Sequence, residues 1–200
     1  MLTLYHSPRS RATRAYQLLD ELGVLDRVTV ETVAIARQDG SGEPDPRNPH
    51  PEGKVPTLVH DGEMVWESAA IFLYLTDMFP EAGLGPLPGQ KGRGGYLSWL
   101  AWYGDVLEPV VHFRFLGIDH PGLFRTFRGY DEMAARLVST LETRPYLLGD
   151  TFSAADLLIG STFGWLPQMT PDNDAVRDWV ARVTDRPAAR RTAEREAAMA

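Results

Sequence analysis

A proline that must sit at the lip of a strand constrains this chain more than any other residue. In GKVPTLVHDGEMVWESAAIFLYL, residues 53–75, Val55-Pro56 leads into the apolar run Thr57-Leu58-Val59. Proline has no N–H to give a β-ladder, so Pro56 belongs at a strand start or in a special turn. Asp61-Gly62 tolerates the positive φ angles of a two-residue hairpin turn, and Met64-Val65-Trp66 reads as the return strand. Glu67-Ser68 marks the change from strand to helix, with Ser68 as the expected N-cap. Ala69, Phe72, Leu73 and Thr76 share one helical face that Ile71 and Leu75 widen, which predicts a largely buried helix.

The residues before this run supply the other half of an α/β unit. Leu2-Thr3-Leu4-Tyr5 alternates like a strand, and His6-Ser7-Pro8-Arg9-Ser10 is a polar turn. Ala15, Leu18, Leu19 and Leu22 then recur at helical spacing until Gly23 closes the helix. Arg27 to Ile35 reads as a second strand, and a helical crossover between the two strands implies parallel pairing. Residues 36–52, rich in Gly, Pro, Asp and Asn, are expected to be irregular. The order β-α-β, β-β-α is the thioredoxin-like layout.

Gly83, Gly85, Pro86, Pro88, Gly89 and Gly92 crowd one short segment, which reads as an interdomain linker. No strand precedes these glycines, which argues against a phosphate loop. Beyond it the pattern is helical. Trp99, Trp102, Tyr103, Val106 and Val110 make one apolar stripe, and Tyr130 to Leu141 carries another. Ser153 begins a further helix, with Asp156 reaching back as a variant capping box and Phe152 and Leu157 at the staple positions. Residues 178–200 are expected to form an Arg- and Ala-rich helix with a solvated charged face. The predicted organisation is a thioredoxin-like domain at 1–79, a linker at 80–92 and an all-helical domain at 93–200.

Composition excludes several classes of function. The formal net charge of −7 argues against nucleic acid or an anionic membrane as a main partner. With no cysteine in the chain, disulfides, thiolate metal sites and a cysteine nucleophile are ruled out, so thiol chemistry must come from a ligand. The histidines show no paired metal-ligand spacing, so no metal site is predicted. The start MLTLYHSPRSR lacks the apolar core of a signal peptide, and the expected location is cytoplasmic.

The junction at Glu67-Ser68 admits two readings from local chemistry. Free N–H groups and the helix dipole attract anions, so a ligand carboxylate could dock on Ser68 while Glu67 meets a ligand ammonium. The pair is equally a plain cap beside a solvated acid. The whole string VPTL, hairpin turn, then E-S before an apolar helix resembles the glutathione-binding half of the glutathione transferase family. That resemblance implies a cis proline at Pro56, backbone pairing of Val55 with the tripeptide's cysteinyl group, and a γ-glutamyl end held by Glu67 and Ser68. It likewise places Lys54 and His50 near the glycyl end, although Asn48-Pro49-His50-Pro51-Glu52-Gly53 is two residues longer than the commonest N-P-x-G form. The run around Ser153 and Asp156 resembles the family's folding signature and is assigned to stability.

The family's task is to ionise glutathione's thiol, which at an ordinary pKa of about 8.5 is only about 3% thiolate at neutral pH. Serine-type members, such as the theta, delta and tau classes, place an activating serine just ahead of the first helix. The resemblance carries that role onto Ser10, with the helix N-terminus beneath it adding positive potential. Ser7 and Tyr5 are the competing hydroxyls, and a plain helix cap is the bland role for Ser10. Beta-class members carry a cysteine where Ser10 stands, so persistent mixed-disulfide chemistry is not expected. Arg11 and Arg14 are assigned either to the glycyl carboxylate or to structural ion pairing. The implied partners are glutathione as co-substrate, a small hydrophobic electrophile lodged near Trp99–Tyr103, and a second copy of the chain in a homodimer. The implied reaction is conjugation. Peroxidase, isomerase or dehalogenase chemistry on the same site, or a non-catalytic binding or scaffold role, are the alternatives.

Overall fold

Four short strands form one sheet, and its connections decide where the loops of interest end up. The computed structural model describes residues 1–199. β1 (Leu2–His6) runs parallel to β2 (Thr29–Thr32) across the helix α1 (Ala12–Glu21), as the crossover requires. β3 (Thr57–His60) lies antiparallel on the other side of β1, and β4 (Glu63–Val65) antiparallel to β3, giving the order β2-β1-β3-β4. Asp61 and Gly62 take φ of 48° and 91° in the β3–β4 turn, the paired positive values that this dipeptide accommodates. β2 is shorter than the run 27–35 predicted for it. Its side chains are mostly exposed, so it sits at the sheet edge, where Val33 bonds back to the His6 carbonyl (2.8 Å) after the strand ends.

The helix α2 (Ser68–Met78) buries Ile71, Phe72, Leu75 and Thr76. That stripe is rotated from the predicted one, with Ala69 and Leu73 only half-buried. Together with Leu4, Leu18, Leu19 and Leu58, all fully buried, it forms the core of this unit. The chain divides into two compact units, Met1–Ala82 with the stretch from Arg186 onward, and Gly83–Asp185.

The terminal segment departs from expectation. A continuous helix with solvated charges is predicted from residue 178, but Pro187 cannot continue a helix and instead opens a new one. The result is α8 (Asp174–Thr184) and a terminal helix (Pro187–Met199) that packs on α1. Its buried stripe is Ala188, Thr192 and Glu196, one residue every four. Arg186 grips Glu21 through two 2.7 Å bonds, and Arg191 reaches Asp20 at 2.8 Å. These charges therefore tie the terminal helix down.

The second unit is helical, and its described residues add no strand to the sheet: α3 (Arg93–Trp102), α4 (Glu108–Phe115), α5 (Pro121–Phe127), α6 (Tyr130–Leu141) and α7 (Ala154–Trp165) precede α8. A π-helical turn at Tyr103–Leu107 joins α3 to α4. α7 and α8 approach closely because Gly160 and Gly164 leave room. A Cβ at either would lie 2.9 Å or 2.8 Å from Val183 or Thr184. Asp156 is wholly buried and accepts bonds from the amides of Leu147 (2.8 Å) and Ser153 (2.9 Å), the Ser153 hydroxyl (2.6 Å) and the Trp179 indole (2.9 Å). Its capping link to Ser153 follows from the sequence spacing. The reach to Leu147 and Trp179 does not, since it joins α7 to α8 and to the preceding loop. Burial pushes the Asp156 carboxyl above its ordinary value, against the pull of these four donors.

Asp156→Ala takes the acceptor from four buried donors and is expected to cost about 3–5 kcal/mol, against about 0.5–2 kcal/mol for Ser153→Ala. Urea unfolding of the two variants checks the ranking, and equal losses would contradict it.

Candidate functional site

Strand register gathers the predicted site at one end of the sheet. Tyr5 opposes Thr57, so the turn that follows β1 meets the loop that precedes β3. Leu58 opposes Val65, which brings the end of β4 and the start of α2 to that same end. The turn with Ser7 and Ser10, the Val55-Pro56 step and the Glu67-Ser68 junction thus converge although they are spread over about sixty residues. Val55 packs in a small apolar cluster with Ala12 and Val33, with Tyr5 and Ile35 against it. Ala12 is also the residue whose amide donates to the Ser10 hydroxyl oxygen, at 3.1 Å. One alanine therefore touches both halves of the candidate site.

The three hydroxyls that compete on sequence grounds have different surroundings. Ser10 is 8% exposed, and its Oγ–H donates to the Ser7 carbonyl at 2.6 Å. Ser7 is 3% exposed. The Tyr5 ring is taken up in the Val55 cluster. Arg11 is exposed and occupies the N-cap of α1, whereas Arg14 is buried within that helix.

The Val55–Pro56 peptide is cis. The N–H and C=O of Val55 bond to no described residue. The neighbouring Lys54 carbonyl is occupied by the Asn48 amide and the Thr57 hydroxyl, each at 2.9 Å. His50 is buried and its Nδ1 accepts from the Glu52 amide at 3.0 Å, which leaves Nε2 as the protonated nitrogen of a neutral ring. The Lys54 ammonium pairs with Glu52, and hydrogen bonding from that ammonium holds the exposed Glu52 carboxyl below its ordinary value.

Glu67 corrects the expected cap. Ser68 is the first helical residue, and Glu67 is the N-cap, in the unusual backbone state φ 67°, ψ 128°. A non-glycine residue at positive φ is strained by about 1–2 kcal/mol. The strain presents the Glu67 side chain to solvent while Ser68 stays 7% exposed at the helix start. The first N–H groups of α2 have no carbonyl of a preceding helical turn to bond, as an anion site needs.

One residue near this turn was missed entirely. Glu196, on the terminal helix, accepts from the Arg9 amide (3.0 Å) and the Thr13 hydroxyl (2.6 Å), and its Oε1 lies 3.1 Å from His6 Nε2. Arg9 has φ 53°, another non-glycine residue in left-handed conformation. A hydrogen bond to a charged acceptor contributes about 1.5–3 kcal/mol, enough to offset that strain. A contact across 187 residues leaves no trace in local spacing, so the sequence offered no signal for it. Burial pushes the Glu196 carboxyl up, but bonding from His6, Thr13 and the Arg9 amide outweighs it and holds the carboxyl below its usual 4.5.

Trp99, Trp102 and Tyr103 belong to the second unit and pack within it. Trp99 stands edge-on to Trp102 at 5.1 Å, and Arg136 lies over the Trp99 ring. No cluster suited to a metal occurs among the described residues. No helix of the described chain is long and apolar enough to cross a membrane.

Sheet order, the cis peptide before β3 and the helix beginning at Ser68 define a thioredoxin-like unit, followed by a helical region. Residues 1–77 match the family model "Glutathione S-transferase, N-terminal domain". The chain is 28% identical to glutathione S-transferase 3 of Schizosaccharomyces pombe over 98% of its length and 88% of the relative's. A glutathione transferase from Methylococcus capsulatus superposes with a TM-score of 0.77 at 26% identity, covering 99% of this chain and all of that one. A sphingomonad glutathione S-transferase solved with glutathione does so at 0.77 and 25% identity, over 98% of each chain. Residues 1–77 therefore carry a glutathione S-transferase N-terminal domain, and the chain resembles glutathione S-transferases over nearly its whole length.

Two outcomes test this geometry without any ligand. Glu67→Gly relieves the positive φ, whereas Glu67→Val adds a branched Cβ to it. The valine variant should be less stable than the glycine variant by more than about 1 kcal/mol in urea unfolding. The lowered Glu196 carboxyl contributes stability that is complete above its unfolded-state value and is lost as pH falls through its lower folded value. The stability gap between the natural protein and Glu196→Gln should therefore be constant near neutrality and shrink below pH 4.5.

Proposed function

We propose that this protein binds glutathione at the sheet end formed by Ser10, Val55 and Ser68 and conjugates it, through its sulfur, to a hydrophobic electrophile. The observation that carries the reading is the Val55 backbone. It stands beside a cis proline, and neither its N–H nor its C=O bonds to a described residue, as the edge of a site that pairs with a peptide must be. A cysteinyl residue laid antiparallel to Val55 would fill both groups. The γ-glutamyl carboxylate would then meet the Ser68 amide and hydroxyl at the start of α2, and its ammonium would meet Glu67. At the other end, His50 Nε2 and Lys54 offer a donor and a positive charge for the glycyl carboxylate.

Ser10 is the proposed source of thiolate stabilisation. Its proton is directed at the Ser7 carbonyl, so the hydroxyl must turn about its C–O bond to meet sulfur. That exchanges a neutral hydrogen bond of about 1 kcal/mol for a charge-assisted one of about 1.5–3 kcal/mol. The net gain lowers a thiol pKa by about 0.4–1.5 units. The helix N-terminus of α1 acts in the same direction. From about 3% thiolate at neutral pH, this raises the reactive fraction to between about 7% and about one-half. The sulfur then attacks the electrophilic carbon as the leaving group departs, and the serine proton stays on its oxygen throughout. The family's homodimeric assembly and a cytoplasmic setting accord with this role.

Ser10→Ala should raise the pKa of the bound thiol by about one unit, read from thiolate absorbance, and lower turnover of an activated aryl halide by about tenfold at neutral pH. Full activity with unchanged thiolate absorbance would remove Ser10 from the mechanism. Glu67→Gln should weaken retention on immobilised glutathione by about tenfold. A natural protein that failed to bind that resin would favour a non-catalytic role for the fold.

A further inference from the structure

The active-site turn is held by the last helix of the chain. Glu196 spends both carboxylate oxygens on that turn and its supports: Oε2 accepts from the Arg9 amide, and Oε1 accepts from the Thr13 hydroxyl beside His6 Nε2. Thr13 in turn accepts from the Ser10 amide at 3.3 Å. Arg9 and Ser10 therefore both have their N–H groups fixed through Glu196, one directly and one through Thr13. Arg9 is the left-handed residue that turns the chain immediately before Ser10, so its conformation decides where the Ser10 side chain points.

The rest of the contact between the terminal helix and α1 is unusually polar. Its buried stripe offers Ala188, Thr192 and Glu196 and no large apolar side chain. Gln17 Nε2 and Thr192 Oγ1 are buried without partners among the described residues. The helix is held instead by Arg186 on Glu21 and by Arg191 and Arg195 on Asp20. An interface with so little apolar burial does not need a carboxylate for packing, and Glu196, the buried acid of the terminal helix, points at the turn.

We propose that Glu196 is a positioning residue for thiol activation: its carboxylate keeps Arg9 left-handed and so aims the Ser10 hydroxyl. This rests on the assignment of Ser10 made above. It also makes the terminal helix a working part of the glutathione site, although its residues need not touch glutathione.

The experiment compares Glu196→Ala, Glu196→Gln, Asp20→Ala and Ser10→Ala in the full-length protein. Glu196→Ala is expected to lower kcat about tenfold at neutral pH while KM for glutathione stays within about threefold, with the bound thiol's pKa raised by about one unit to match. Glu196→Gln keeps an acceptor for Arg9 and should fall between Ala and the natural protein. Asp20→Ala loosens the same helix away from the turn, and should lower Tm without moving the thiol pKa. Amide hydrogen exchange at Arg9 gives a readout independent of activity and should accelerate at least tenfold in Glu196→Ala. Unchanged Arg9 exchange, or an unchanged thiol pKa in folded Glu196→Ala, would overturn the proposal. So would an Asp20→Ala variant whose thiol pKa rises as much as that of Glu196→Ala. If Ser10→Ala retains full turnover, the serine assignment fails, and Arg9 exchange still decides whether Glu196 holds the turn.

Discussion

The antiparallel ladder between β1 and β3 is the interaction on which the rest depends. It sets Tyr5 against Thr57 and so fixes the entrance of α1 against the loop that carries Val55 and Pro56. A one-residue slip would send every side chain of β3 to the opposite face, moving Leu58 out of the core and Val55 away from Ala12. The fully buried Leu4 and Leu58 are the apolar pair that forbids this. From that register follow the placement of β4, the start of α2 and the convergence of the candidate ligand contacts.

Backbone geometry at this end of the sheet carries as much meaning as the side chains. Arg9 and Glu67 are both non-glycine residues at positive φ, and each stands directly before a serine of the candidate site. Strained residues persist where their surroundings over-determine them. For Arg9 the surroundings include the Glu196 carboxylate. For Glu67 they include the ordered start of α2, whose fourth amide, that of Ile71, bonds back to the Glu67 carbonyl at 3.0 Å. Glycine would relax both positions, but it would not offer a carboxylate at the second or hold the chain as firmly at the first.

Much of this fold was legible because its signals are local. The Asp61-Gly62 turn, the Pro56 boundary and the crossover between β1 and β2 each follow from the conformational limits of a few neighbouring residues. The capping link from Asp156 to Ser153 belongs to the same class. What sequence reasoning lost were contacts made over long separations and choices between adjacent positions. Asp156 reaches Trp179 only because α7 and α8 are drawn together at Gly160. The terminal helix reads as a solvated run because arginine and alanine dominate it, yet its glutamate at 196 faces inward. Ser68 against Glu67 as the cap was decided by a backbone angle that composition does not encode. The candidate site residues themselves came from resemblance. Register and the open Val55 backbone supply the physical grounds for treating them as one site.

A crystal structure of the protein with glutathione bound is the most direct test of the central claim. The account predicts the cysteinyl backbone paired with both groups of Val55, the γ-glutamyl carboxylate on the Ser68 amide, and the sulfur within hydrogen-bond reach of the Ser10 hydroxyl. A tripeptide lying elsewhere, or a sulfur facing away from Ser10 with the hydroxyl still bonded to the Ser7 carbonyl, would contradict it.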